Sequence, residues 1–288
     1  MENLEHAHEE QPDNSFSRLL SQFDKYAIDY TSPGFHLHEP FMRAEQLGEV
    51  SPHDYARYVI GKEYTPEYLN QAETIVSEMV KYMEPKIMFN GACVDASMVL
   101  SSMLDELGVW NYIATGGMTI SFKPSTGTPG IVHFAPLMAP GNPAITGHAW
   151  IVSPPFNIVD ITASKQSYQN SQLKQYVPKI TLSKTFTTSE WEIDDIVENK
   201  LQPILWAQGI SQTREGIELI DPGLLSRLVE YGVRSIDDQH VSMKYLCTSP
   251  GLQDGNLDDM RKKKFSNSSP RDLLQDFLSQ SNIRPISG

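Results

Sequence analysis

Residues 91–108 restrict the fold more than any other part of the chain. Ala96, Val99, Leu100, Met103, Leu104 and Leu107 recur at intervals of three and four, while Ser97, Ser101, Asp105 and Glu106 fall mostly off that stripe. The spacing predicts a helix with one deeply buried side, stopped by Gly108. Such a helix needs a broad apolar partner, and the next residues supply one. Trp110 to Thr115 and Met118 to Phe122 carry strand signals around a Gly116-Gly117 turn. Residues 147–152 and 156–161 read as two further strands joined through Ser153-Pro154-Pro155.

The flanking regions read differently. Residues 1–13 are polar with no face to pack, which predicts a disordered terminus. Residues 14–64 form an N-terminal helical region, with Phe16, Leu19, Leu20, Phe23, Tyr26, Ala27 and Tyr30 at helical spacing and a second helix opened by Ser51-Pro52. Thr65-Pro66 opens the core, 65–188, with a helix carrying Leu69, Ala72, Val76, Met79, Val80 and Met83. Within that core, residues 123–147 hold five prolines and four glycines, a stretch expected to be functional or disordered rather than a plain connection. Residues 189–247 read as a C-terminal helical region, with Ser189 and Glu192 at capping-box spacing and a helix opened by Asp221-Pro222. Residues 248–288 read as a polar linker and a terminal amphipathic helix around 273–278.

Composition removes several function classes. With 23 Lys+Arg against 36 Asp+Glu and a net charge of -13, the chain lacks a nucleic-acid footprint. No apolar run approaches the roughly 20 residues needed to span a bilayer. The acidic start, MENLEHAHEEQPDN, lacks the basic and apolar regions of a secretory leader, so the expected location is cytoplasmic, with non-classical secretion as an effector left open. Two cysteines, Cys93 and Cys247, make neither a disulfide framework nor a cysteine zinc site, so any cysteine chemistry rests on a single thiol.

Cys93 stands where the regular helix begins. A helix N-terminus lowers a thiol's pKa and offers free N–H groups, that of Cys93 included, for an oxyanion. A base must come from the sheet. If the strands pair around Pro154, His148 lies directly across from Asp160, with Cβ atoms roughly 4.5–5.5 Å apart. The connection needs an odd residue count, or the two side chains fall on opposite faces. The sequence can therefore build a relay in which Cys93 attacks, His148 moves the proton and Asp160 fixes the imidazole tautomer. Each residue also has an ordinary role: a small buried hydrophobe, a structural hydrogen-bonder, a strand end. Asn90 is a weaker oxyanion candidate or a plain turn residue, and Trp110 and Trp150 are cleft walls or core aromatics. His36 and His38 with Glu39 suggest a metal face or a loop. His133 is a possible cleft residue, Cys247 a structural one, and residues 261–264 a solvated basic run.

Gly91-Ala92-Cys93, the helix ending at Leu107-Gly108-Val109, His148-Ala149-Trp150 and Asp160-Ile161-Thr162 together resemble the transglutaminase-like superfamily over about residues 66–165. The resemblance implies an α+β fold with a papain/transglutaminase-like core, a nucleophile helix packed on an antiparallel sheet and helical N- and C-terminal extensions. It implies thiol chemistry on amides of a protein or peptide substrate, with Cys93, His148 and Asp160 catalytic and with no metal or organic cofactor. Val94 departs from the Trp that follows the cysteine in many transglutaminases, which favours hydrolysis or deamidation over crosslinking. Phe89-Asn90-Gly91 lacks the Arg-Gly-Gly lead-in of arylamine acetyltransferases. The alternative is an inactive binding module or a partner-docking effector, with the C-terminal helix as docking element.

Overall fold

The computed structural model describes residues 13–88, 90–137, 147–210, 214–260 and 267–286. Five α-helices come first among them: α1 (Asp13–Lys25), α2 (Glu39–Gln46), α3 (Pro52–Gly61), α4 (Pro66–Met83) and α5 (Cys93–Glu106). The strands β1 (Tyr112–Phe122), β2 (Gly130–Phe134), β3 (His148–Ser153), β4 (Phe156–Asp160), β5 (Thr181–Ser183) and β6 (Thr187–Thr188) follow. Short helices α6 (Ile193–Ile196), α7 (Gln202–Ala207), α8 (Arg214–Ile220) and α9 (Leu224–Tyr231) lead to β7 (Val233–Asp237), β8 (Val241–Gly251) and α10 (Pro270–Gln280). The protein is an α+β fold.

Helix starts follow local chemistry. The Thr65 hydroxyl accepts the Tyr68 N–H at 3.2 Å ahead of α4, whose first residue is Pro66. Ser51 with Asp54, and Ser269 with Asp272, form capping boxes ahead of α3 and α10. Near residue 190 the box is made by Glu192 and Asp195 at α6, not by Ser189. The first helix stops at Lys25, short of Tyr30, with Ala27 at φ 52.

All strand pairs are antiparallel, in the order β5-β4-β3-β1-β8-β7-β6, with β2 also on β1. One sheet face carries Tyr112, Ala114, Met118 and Ile120 of β1 against Phe23, Phe35, Phe41, Tyr55 and Tyr58 of the N-terminal helices. The opposite face holds two separate layers. In one, α4, α5 and α10 pack on Ile113, Ala149, Ile151 and Val159. In the other, Ile196, Leu205, Ile217 and Leu228 of α6–α9 pack on Leu246 of β8. Val99, Leu100, Met103 and Leu104 of α5 are fully buried, each stabilising the helix–sheet contact by about 2 kcal/mol.

Several expectations change. The residues read as a Gly116-Gly117 turn lie inside one continuous strand, because β1 passes β8 at a bulge. A Cβ on Gly116 would run into the Leu246 carbonyl oxygen and stand 2.8 Å from Thr248 N, while one on Gly117 would meet Asp195 O at 2.6 Å. Glycine serves close approach here, not chain reversal. Residues 123–147 contain β2, which pairs Met118–Phe122; residues 138–146 lie outside those described. The region 189–247 is not only helical: β7 and β8 join the same sheet as β1. The apolar side of α10, Leu273, Leu274 and Phe277, is buried against α4 and α5, and the Tyr82 hydroxyl donates to Asp276 at 2.6 Å. The chain itself covers the face expected to dock a partner. The basic run 261–264 and residues 1–12 lie outside the described part.

Candidate active site

Cys93 is the first residue of α5, preceded by Gly91 in the left-handed region at φ 73. The Gly91 N–H donates to the Lys165 carbonyl at 3.0 Å, and Lys165 Nζ donates to the Ile87 carbonyl at 2.9 Å and pairs with Glu84. The turn that leads into Cys93 is thereby tied to the segment that follows β4.

The β3–β4 hairpin brings His148 and Asp160 together by a register other than the symmetric one. Ser153 faces Phe156, and one extra β4 residue then shifts the ladder so that Ile151 faces Val159. Continuing that ladder puts Asp160 opposite Trp150, and His148 reaches the carboxylate diagonally. The bulge matters because the register at Ser153–Phe156, carried on unshifted, would place the two side chains on opposite faces. His148 Nε2 lies 2.7 Å from Asp160 Oδ2, both side chains being 0% exposed.

Asp160 is surrounded by donors. The Tyr245 hydroxyl donates to Oδ2 at 2.9 Å, while Oδ1 accepts the Thr162 N–H at 2.8 Å, the Thr162 hydroxyl at 3.0 Å and the Ala163 N–H at 3.1 Å. Burial alone would raise this carboxyl, but the imidazole and these donors outweigh it and hold the group ionised well into acid. His148 therefore carries its proton on Nε2, leaving Nδ1 for the thiol. Burial works against the imidazolium, yet Asp160 and Cys93 raise its pKa overall.

The Cys93 thiol lies within hydrogen-bonding reach of His148, the Gln166 carboxamide and the Ala149 N–H. Burial would push it up, but His148 first and then Gln166 and Ala149 bring it below the ordinary thiol range. Cys247 contrasts with it: the side chain sits in the core on the other sheet face, where burial pushes the thiol up to about 12.

Cys93 and His148 open onto a cavity of about 210 Å³. Val94 joins Cys93 from α5, Thr115 and Gly116 come from β1, Thr248 from β8, and Pro136 and Gly147 close the side. Pro136 is held where it is by its neighbour Leu137, which exchanges main-chain bonds with Ile196 and Glu198. Among the described residues, His148 is the sole titratable side chain besides the thiol on these walls.

The other candidates lie elsewhere. Asn90 is exposed, its side-chain oxygen accepting from Lys174 Nζ at 2.8 Å, and is not on the cavity wall. Trp110 is buried beside Phe35 and Tyr58 rather than in the cleft, because its strand end packs under the N-terminal helices. Trp150 lies beneath the site instead of walling it, stacked on His148 at 6.1 Å and 18°. His133 hydrogen-bonds Thr119 at 3.0 Å beside the buried Asp195, which also pairs with Lys244. His36 is buried edge-on to Tyr55 and Phe41, and Glu39 begins α2.

Sequence reasoning missed Gln166 and Tyr245. The Asp160-x-Thr162 pattern, an ordinary side-chain-to-backbone turn, was the available sign that Asp160 is held from its own chain. No family model, curated protein or solved structure matches the chain.

Proposed function

We propose that the chain is a cysteine-dependent enzyme acting on amide bonds of a protein or peptide, with Cys93, His148 and Asp160 as catalytic triad on a papain/transglutaminase-like core. One observation carries this reading: a thiol at a helix N-terminus, lowered in pKa, within reach of an imidazole whose far nitrogen is 2.7 Å from a buried carboxylate, all opening on one cavity. Cys93 Sγ adds to the amide carbonyl after His148 Nδ1 has taken its proton. The oxyanion forms beside the Cys93 and Ala149 N–H groups. The C–N bond breaks as the imidazolium returns the proton to the leaving nitrogen, leaving a thioester. Water, deprotonated by the same Nδ1, hydrolyses the thioester and frees the thiol; an amine in place of water gives transamidation. Deamidation or peptide hydrolysis is the preferred outcome. The mechanism uses no metal or organic cofactor.

An electrophilic amide-mimic probe tests it. Stoichiometric labelling of Cys93, slowed about 10³-fold in His148→Ala, supports the triad. Equal, slow labelling of Cys93 and Cys247 would refute it in favour of an inactive binding module. Intact mass measurement of substrates then separates the outcomes. A gain of about one dalton is deamidation, fragments are hydrolysis, and an adduct is transamidation.

A further inference from the structure

We propose that the Gln166 carboxamide controls the ionisation of Cys93, donating to His148 Nδ1 while the pair is neutral and to the sulfur once the proton has crossed. The inference rests on the reading of Cys93 as nucleophile. Gln166 is 3% exposed, and its Nε2 stands 3.1 Å from Nδ1, the nitrogen that Asp160 leaves free. The same amide is within hydrogen-bonding reach of the thiol. One carboxamide thus addresses both ends of the proton transfer.

The two bonds differ in strength. In the neutral state the acceptor is an uncharged ring nitrogen; in the ion pair it is a thiolate, and a bond to an ionised acceptor is about twice as strong as a neutral one. The amide therefore stabilises the ion pair more than the neutral pair, and Gln166 is a positioning residue. Its placement is fixed by neighbours already described. Asp160 Oδ1 gathers the N–H groups of Thr162 and Ala163, and the Lys165 carbonyl accepts from Gly91, so the turn that carries Gln166 is bonded to the carboxylate at one end and to the nucleophile turn at the other.

The test follows alkylation of Cys93 by iodoacetamide against pH on the full chain. Gln166→Met keeps length and loses the N–H; Gln166→Glu keeps shape and puts an acid beside the sulfur. Both are expected to move the alkylation midpoint upward by about one pH unit, leaving about tenfold less thiolate at pH values below both midpoints, with alkylation in base unchanged. A folded variant whose midpoint stays within about 0.3 unit of the parent's overturns the proposal. If neither variant melts cooperatively, the unmodified chain decides. The Gln166 side-chain amide resonance must follow the Cys93 titration, and in Cys93→Ser that transition must disappear, leaving only the response to His148; an amide blind to the thiol overturns the inference equally. Alkylation reads the thiol whether or not an amide is cleaved, so failure here is distinguishable from failure of the proposed activity.

Discussion

Tyr245→Phe measures how the carboxylate is held. The substitution removes the hydroxyl that donates to Asp160 Oδ2 at 2.9 Å and that also neighbours the Thr181 side chain. The ring stays packed edge-on to Trp150 at 5.1 Å, so no cavity opens. Oδ2 retains His148, and Oδ1 retains Thr162 and Ala163, so the carboxylate is weakened rather than orphaned. A hydrogen bond to a charged group contributes about 1.5–3 kcal/mol, and the surviving partners place this one at the lower end, about 1.5 kcal/mol. The pH dependence has a definite sign. Because Asp160 titrates lower when folded than when unfolded, its contribution is present above the unfolded carboxyl range and is lost as pH falls through the folded value. Removing a donor raises the folded value, so in Tyr245→Phe the loss is smaller and is complete at higher pH. Urea unfolding followed by tryptophan fluorescence should show a deficit of about 1.5 kcal/mol near neutrality that narrows once acid protonates Asp160. A deficit below about 0.3 kcal/mol would refute the charged hydrogen bond, and a full deficit independent of pH would assign the effect to packing.

Two further substitutions test the frame around the site. Gly116→Ala drives a Cβ into the β8 backbone, where no flexible side chain can give way; a loss of about 3 kcal/mol is expected by urea unfolding, and a loss under about 1 kcal/mol would mean the bulge relaxes freely. Phe277→Ala empties a buried site between α10 and Tyr82, with an expected loss of about 3–4 kcal/mol. If hydrogen exchange of α10 is unchanged in that variant, Phe277 does not hold α10 to the core.

The parts of the fold legible in the sequence are those whose causes are local. The helix from Cys93 declares itself by spacing, the openings at Ser51 and Thr65 by capping chemistry, and the parity of His148 and Asp160 by strand alternation. What was not legible depends on residues distant along the chain. Gly116 and Gly117 look like a turn because glycine usually serves turns; only the arrival of β8, some 130 residues later, makes them a crossing of backbones. Tyr245 sits in a stretch read as helical, since β7 and β8 are strands by virtue of the β1 edge they complete. Gln166 carries no local mark at all. Its part in the site comes from a turn anchored on Asp160 at one side and Gly91 at the other.

The cavity itself follows from how β1 is shared. Along one edge β1 pairs β3 from Tyr112 to Gly116 and then β2 from Met118 to Phe122, so its two partners part at Gly117. His148 is the last β3 residue before the parting, and Pro136 lies just past the end of β2. Gly147, at φ 85, lets the chain turn away there, where a Cβ would stand 2.9 Å from the Gly116 carbonyl oxygen. The start of α5 faces this gap from the layer above, and Ile196 of α6 and Glu198 just after it supply the main-chain bonds that hold Leu137. A thiol and an imidazole that would otherwise be sealed in the core meet at the one place where the sheet edge changes hands. This accounts for how Cys93 can be 2% exposed and still face open space. It also explains why glycine stands at 116, 117 and 147: each lets backbones approach where a Cβ would collide, and that close crossing frames the site.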